Sequence, residues 1–440
     1  MIAAVQRLID RTLFRPGPSL MLFGGVTLAS NWVWYGSGLF LGRVVGAVLT
    51  VVGALTWILA LFALRRGRGQ TAALAVFIVG SVALPGLALT ILRWRTGAPI
   101  LFHDGAYQTE EAMRLALGGH DPYGTDYTQT SMSLWHWYVN QPLDPALFHY
   151  VYYPLTFLVA VPFNALAAVA HVPFDFRAVL LIAAVAAGVG LAALPWKWEW
   201  RYVAMVALFL DPFFFLPQGR NDILFIAAII AGVLAWSRER PVLAALGFGI
   251  ALAFKQFSVF YIAPLALALL AMRSRGQLTT RTLVGAAIGV VIPIAVTVLP
   301  FFIWNPSAFS TDTVGVVTGT APHSFPIRGL GISALMVTLH LLPGPNAWFP
   351  FGFLQAGIAI AILAAGLPRV WREPTTSSIL TVGGWTTAGV LVASRYLNDS
   401  HVAVLLFLLV LAGAARRAAL DRQGRHRSDP VSPPSAAAAA

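Results

Sequence analysis

Residues 102–123 read FHDGAYQTEEAMRLALGGHDPY, and they hold charge in a chain that otherwise avoids it. Of the 17 acidic residues in 440, six fall between positions 104 and 144: Asp104, Glu110, Glu111, Asp121, Asp126 and Asp144. Four of the nine histidines, His103, His120, His136 and His149, lie in or beside that stretch. A carboxylate there can take a proton from a reacting group, or it can cap a helix. Asp104 follows an apolar run and heads AYQTEEAMRLAL, a helix expected to stop at Gly118-Gly119. Capping explains much of that segment, and DPYG at 121–124 reads as a turn with Pro at its second position. Neither explains the His and aromatic enrichment that runs on to residue 150. Trp135, Trp137 and Tyr138 there can stack on a sugar ring or anchor a membrane interface, and anchoring is the better reading. Glu110 and Glu111 are adjacent, so on a helix they diverge by ~100°. No metal-ligand set and no cofactor are expected, with a divalent metal left open. The chain has no Cys, which excludes a disulfide framework and a thiolate nucleophile or metal site.

The elements that position these groups are membrane helices. Apolar residues make up 58% and charged residues 10%, where soluble domains carry about a quarter charged. The mean hydropathy is +0.75. Roughly 14 apolar runs approach the ~20 residues that cross a bilayer, so the expected fold is an all-α polytopic bundle. The net charge of +12 comes mostly from Arg clusters between apolar runs, which orient a membrane protein rather than bind nucleic acid. Arg far outnumbers Lys (only Lys197 and Lys255), a bias that fits a GC-rich genome. Residues 1–18 read as an amphipathic cytosolic lead-in rather than a cleavable signal. Residues 416–440 are basic and then low in complexity, and a disordered cytosolic tail is expected there. The remainder, 1–415, reads as one transmembrane domain with an external loop at 96–150.

Two runs are poor spans: 152–170 holds two prolines and Asn164, and 329–342 is short and ends in LPGP. If neither crosses, KWEWR (197–201), RER (238–240), RSR (273–275) and Arg281 are cytosolic, against Arg177, Arg220, Lys255 and Arg328 outside. Positive charge then lies inside, as it should, and the two runs lie in the interface. About 12 spans result, with both termini cytosolic. This topology gathers the 96–150 loop, GRND (219–222), Lys255, the 305–328 loop and SRYLNDSH (394–401) on the external face, which points to one extracytoplasmic site.

Each gathered residue has a plain and a chemical reading. Lys255 costs about 2.5–3.5 kcal/mol to insert among apolar neighbours, so it either snorkels or meets an anion. Arg220 and Arg328 sit outside against the charge rule; each contacts a headgroup or carboxylate, or a phosphate. Asn221 and Asp222 cap a helix or contact substrate. His401, beside Asp399, is structural or orients a hydroxyl. His323 is a weaker candidate of the same kind.

Asp104, a Tyr three residues on, a short helix and then Gly-Gly-His-Asp-Pro-Tyr resemble the first external loop of bacterial GT-C-fold glycosyltransferases that use lipid-linked sugars. The likeness is nearest to polyprenyl-phosphomannose-dependent mannosyltransferases. Further pieces follow in family order: TyrTyrPro at 152–154, DPFFFLPQGRNDILF (211–225), LGFGIALAFKQFSVFYIAP (246–264) and SRYLNDSH (394–401). The resemblance implies a GT-C-like fold in a bacterial inner membrane and an active site on its outer face. It also implies a polyprenyl-phosphate sugar donor, with mannose or a related sugar, and a lipid, glycan or protein acceptor. The loop acid, Asp104, is then the general base. Lys255 with Arg220 or Arg328 holds the phosphate, while Tyr107, Tyr123 and His401 shape the sugar site. Asn221, Asp222, Glu110, Glu111 and Asp121 complete the expected substrate contacts. The rival expectation is a transporter or flippase of lipid-linked sugars. Transporters usually show inverted repeats and midplane charges, and neither is visible here.

Overall fold

The structure is a computed structural model, and it describes residues 13–33, 42–97, 103–134, 144–210 and 216–428. The described residues are almost entirely helical, as in a multi-pass membrane protein, with one two-residue strand pair. Among the described residues, six helices are long and apolar enough to cross a bilayer: Arg43–Arg66, Gln70–Thr96, Gln256–Ser274, Thr280–Thr297, Phe351–Arg372 and Asp399–Arg422. Arg177–Ala192, Asp222–Ser237 and Pro241–Phe254 are apolar but shorter, at about 21–24 Å for 14–16 residues. Their starts and stops follow local chemistry. Gly67 and Gly97 adopt left-handed φ after basic last turns, which ends a helix at no steric cost. Thr279 caps Thr280–Thr297, and Thr375 forms a capping box with Ser378 at the next helix, Thr376–Val392.

Antiparallel packing sorts the helix ends into two groups. At one end the basic residues meet: Lys197 pairs with Asp421 at 3.0 Å, and Arg422 donates to the Pro195 carbonyl. Arg275 there donates to the carbonyls of Trp371 and Arg372. Arg417 lies over the Phe14 ring, and Trp198 donates to Thr71. The other end carries Asp222 at the head of Asp222–Ser237, Lys255 at the foot of Pro241–Phe254, and Asp399 at the head of the last helix. Close glycine contacts hold the central helices in register. A Cβ on Gly247 would come within 2.7 Å of the Gly232 backbone, and one on Gly249 within 2.7 Å of the Val290 carbonyl. Small residues let membrane helices approach in this way.

The two poor spans are short elements. The first breaks into Leu155–Leu158 and Val161–Val169. The second is Ile332–Thr338, whose seven residues reach only about 10 Å of the ~30 Å hydrocarbon layer. One departure from the sequence reading concerns the tail. The last helix runs through Arg416 to Ser428 rather than ending at 415, because AARRAALDRQ is helix-favouring sequence that the Lys197–Asp421 pair ties down. Residues 429–440 lie outside the described residues, as do 211–215 and Trp135, Trp137 and Tyr138.

Candidate active site

The Asp104–Leu117 helix opens the site. Its N-cap is His103, with extended backbone, and Asp104 is the first helical residue. The sequence reading had put Asp104 at the cap itself. The shift of one residue leaves the Asp104 carboxylate in the first turn, accepting from the Gly105 N–H at 2.6 Å with His103 Nδ1 2.6 Å away. The backbone N–H of His103 donates to the Gln218 carbonyl at 2.7 Å, which sets the helix start beside the Gly219-Arg220 turn. Gly105 has a separate reason to be glycine: a Cβ there would meet Tyr152 Oη at 2.2 Å. Tyr152 packs beneath the helix start for that reason.

Asp104 faces a cavity of about 350 Å³ at the end of the bundle opposite Lys197 and Arg275. Arg220, Asn221, Asp222, Lys255 and His401 line the same cavity, so six residues singled out from sequence converge. The five besides Asp104 come from three separate stretches of chain. Arg220 forks onto Asp399 at 2.9 and 3.3 Å, and Lys255 is in a buried ion pair with Asp222. The Lys255 ammonium also lies 5.5–5.8 Å from the rings of Tyr152, Phe225 and Phe257. His401 Nδ1 accepts from the Asn398 N–H at 3.3 Å, which leaves Nε2 as the donor of the neutral ring. Its ring stands edge-on to Phe257 at 5.5 Å. The other wall is apolar, with Val259, Phe260, Val314, Val317, Val390 and Leu391.

Electrostatics keep Asp104 ionised. Burial pushes its carboxyl up, but His103, the Gly105 N–H and the charge of Arg220 outweigh burial and hold it below the usual carboxylate range. Asp144 responds in the opposite direction: burial, then the charge of Asp104, push it up to about 7 against the pull of the Ala146 N–H and Arg328. Two nearby acids pushed apart are a common mark of acid–base sites.

The remaining expected site residues lie outside this cavity. Glu110 is fully buried in a fork with Arg93, at 3.0 and 2.7 Å, and accepts from the Phe176 N–H at 2.9 Å. Arg93 reaches Asp175 as well, and Asp175 pairs with Arg177. This network fastens the Asp104 helix to two membrane helices. Glu111 pairs with Arg114 at 2.7 Å and accepts from Ser131. Tyr107 donates to Ser131 at 2.9 Å. Tyr123 donates to the Tyr152 carbonyl at 2.8 Å and packs on Tyr150 and Phe309. Asp121 accepts from the Tyr123 N–H in the DPYG turn. Arg328 sits on a two-residue ladder, Arg328–Gly329 beside Tyr396–Leu397. His323 stacks on Phe148 with centroids 4.0 Å apart, not in the cavity. These side chains hold the loops at this end of the bundle together, which is why they are polar and aromatic yet away from the cavity.

Residues the sequence reading missed include Tyr152, Gln256, Tyr396, Asn398 and Ser400, all lining the cavity. Two signals were present: Gln256 adjoins Lys255, and Tyr396, Asn398 and Ser400 belong to SRYLNDSH. Among the described residues, no three His, Asp or Glu side chains converge as a metal set would.

Comparison with known proteins gives one match, to the model of glycosyltransferase family 87 over residues 150–394. No curated protein and no solved structure matches the chain. The matched span is more than half of the 440 residues and holds Tyr152, Arg220, Asp222 and Lys255, while Asp104 and His401 flank it. The cavity where Asp104, Asp222, Arg220, Lys255 and His401 meet is thus built largely from the matched span, and by that match the chain belongs to glycosyltransferase family 87.

Proposed function

We propose that this glycosyltransferase moves a sugar, mannose or a related hexose or pentose, from a polyprenyl phosphate to an extracytoplasmic acceptor with inversion. The observation that carries the reading is the meeting of Asp104 with Arg220 and Lys255 in one cavity that also has an apolar wall. An acceptor hydroxyl attacks the anomeric carbon and the new glycosidic bond forms there. The bond to the phosphate oxygen breaks, its electron pair leaves with polyprenyl phosphate, and the hydroxyl proton passes to the Asp104 carboxylate. A single displacement of this kind inverts the anomeric centre. The leaving group is an anion, so cations serve it better than an acid does. Lys255 pairs with Asp222 and Arg220 with Asp399. An ammonium has three donors and a guanidinium five, so each cation can hold its carboxylate and a phosphate oxygen together. His401 Nε2 is a donor for a sugar or phosphate oxygen, and the apolar wall suits the prenyl chain.

The basic end of the bundle supports a cytosolic placement under the positive-inside rule, with the cavity outside. Both termini are then cytosolic in a bacterial inner membrane. Purified protein given labelled polyprenyl-phosphate mannose and candidate lipid, glycan and protein acceptors tests the reading. A new glycosidic bond and stoichiometric polyprenyl phosphate are expected. Movement of intact donor across a liposome with no new bond would favour the transporter instead.

A further inference from the structure

The charged groups of the cavity have partners, whereas two of its neutral amides do not. Asn221 occupies the N-cap position of Asp222–Ser237, yet its side chain makes no cap hydrogen bond. Its Nδ2 is buried without a hydrogen-bond partner among the described residues. Gln256 follows Lys255 at the head of the Gln256–Ser274 helix, and its Oε1 is likewise buried and unpartnered. Both residues line the cavity that holds Asp104. Polar atoms buried without partners are uncommon and costly, and at a binding cavity the natural compensation is a ligand.

The chemistry of that ligand follows from what is left over. Lys255 holds Asp222, Arg220 holds Asp399, and Asp104 is held by His103 and Gly105, so what those groups have to spare serves the phosphate and the attacking hydroxyl, and the two amides remain. On these two amides the open capacity is one donor and one acceptor, neither of them charged. A hydroxyl is both donor and acceptor, so neighbouring hydroxyls of a sugar ring match the pair. Both amide atoms are shut off from solvent. A ligand reaches them by rotation of the amide, which breaks no hydrogen bond among the described residues.

We infer that Asn221 and Gln256 are the specificity-determining residues that read the hydroxyls of a neutral sugar ring in this cavity. The inference rests on the sugar-transfer reading, and the ring belongs to the donor or to the acceptor.

The test uses full-length protein in nanodiscs, with methyl glycosides of mannose, glucose and arabinose and their monodeoxy forms as probes. Wild type is expected to bind at least one parent glycoside. Asn221→Ala and Gln256→Ala should each weaken it about tenfold, the size of one lost hydrogen bond at a buried site. Each variant should also become indifferent to loss of one particular hydroxyl. No binding of any glycoside, or variants that rank every analogue as wild type does, would overturn the inference. Asn221→Leu and Gln256→Met should melt no lower than wild type, since no protein hydrogen bond is lost; a clear drop would assign the amides to the fold instead. In transfer assays, a raised KM for donor or for acceptor tells which sugar is read. The hydroxyl pattern without any transfer would remove the enzymatic reading and keep this one, and transfer unaffected by both amides would do the reverse.

Discussion

Lys255 and Asp222 neutralise each other in a buried pair, and neither can be removed alone without exposing the other's cost. Lys255→Ala strands the Asp222 carboxylate, and breaking a buried pair from one side costs about 3–5 kcal/mol. We expect Lys255→Ala to lower both the melting temperature and transfer. Lys255→Met with Asp222→Asn should restore most of the stability and none of the transfer, because it removes the buried charge together with the cation. Lys255→Arg should recover only part of the transfer, since a guanidinium does not fit an ammonium's place. Thermal melts run beside transfer assays check this. A Lys255→Ala protein with wild-type stability and rate would mean that the lysine only snorkels. The pairing itself was legible and was not read. Residues 222 and 255 stand at nearly equal distances from the RER turn at 238–240, so an antiparallel hairpin sets them side by side. The Arg220–Asp399 pair was not legible, because it joins segments far apart in sequence whose contact depends on packing of the whole bundle.

At the scale of elements, a histidine joins the loop that follows the Asp104–Leu117 helix to the 305–325 segment. His149 Nδ1 lies 2.7 Å from Asp312 Oδ1, and its Nε2 lies 2.6 Å from the Pro322 carbonyl. Both partners are acceptors, so the cationic ring with two N–H groups satisfies both. Burial pushes the His149 pKa down, but Asp312 and the Pro322 carbonyl outweigh it and raise it above the ordinary value. Asp312 also accepts from the Gly124 and Tyr150 N–H groups, and Asp121 is the other acid nearby. A raised folded-state pKa gives stability that is complete below the unfolded value near 6.5 and is lost as pH rises through the folded value. Wild type should therefore exceed His149→Gln by about 1.5–3 kcal/mol at pH 5–6, the worth of a charge-assisted bond, and the gap should narrow on raising pH. Melting curves of both proteins from pH 5 to 9 measure it; a gap that stays constant would place no titration at His149. The sequence showed His149 only as one of a cluster, since nothing local marks a partner 163 residues away.

At the scale of the whole molecule, the helix pattern was largely legible because apolar runs and Arg clusters carry it directly. The apolar stretches 221–237, 241–254 and 376–393 of the sequence fold as Asp222–Ser237, Pro241–Phe254 and Thr376–Val392. What the pattern could not carry was the division of labour among the loop acids. Asp104 and Glu110 lie on one short helix, yet one lines the cavity and the other is locked to Arg93; composition treats them alike, and only the rotation of the helix against its neighbours separates them. The orientation of the bundle is open to a direct test because the chain has no native Cys. In intact cells, an impermeant thiol reagent should label Ala321→Cys and not Ser237→Cys, and the reverse result would put the cavity on the cytosolic side. The most direct measurement is transfer by the reconstituted full-length protein carrying Asp104→Asn. With His103 at the N-cap, the substitution leaves the helix start intact, while the amide cannot accept a proton. The Asp104→Asn protein is predicted to fold, to bind polyprenyl-phosphate sugar and to turn over about 10²–10⁴ times more slowly than wild type; turnover within a few-fold of wild type would contradict the assignment of Asp104 as the base.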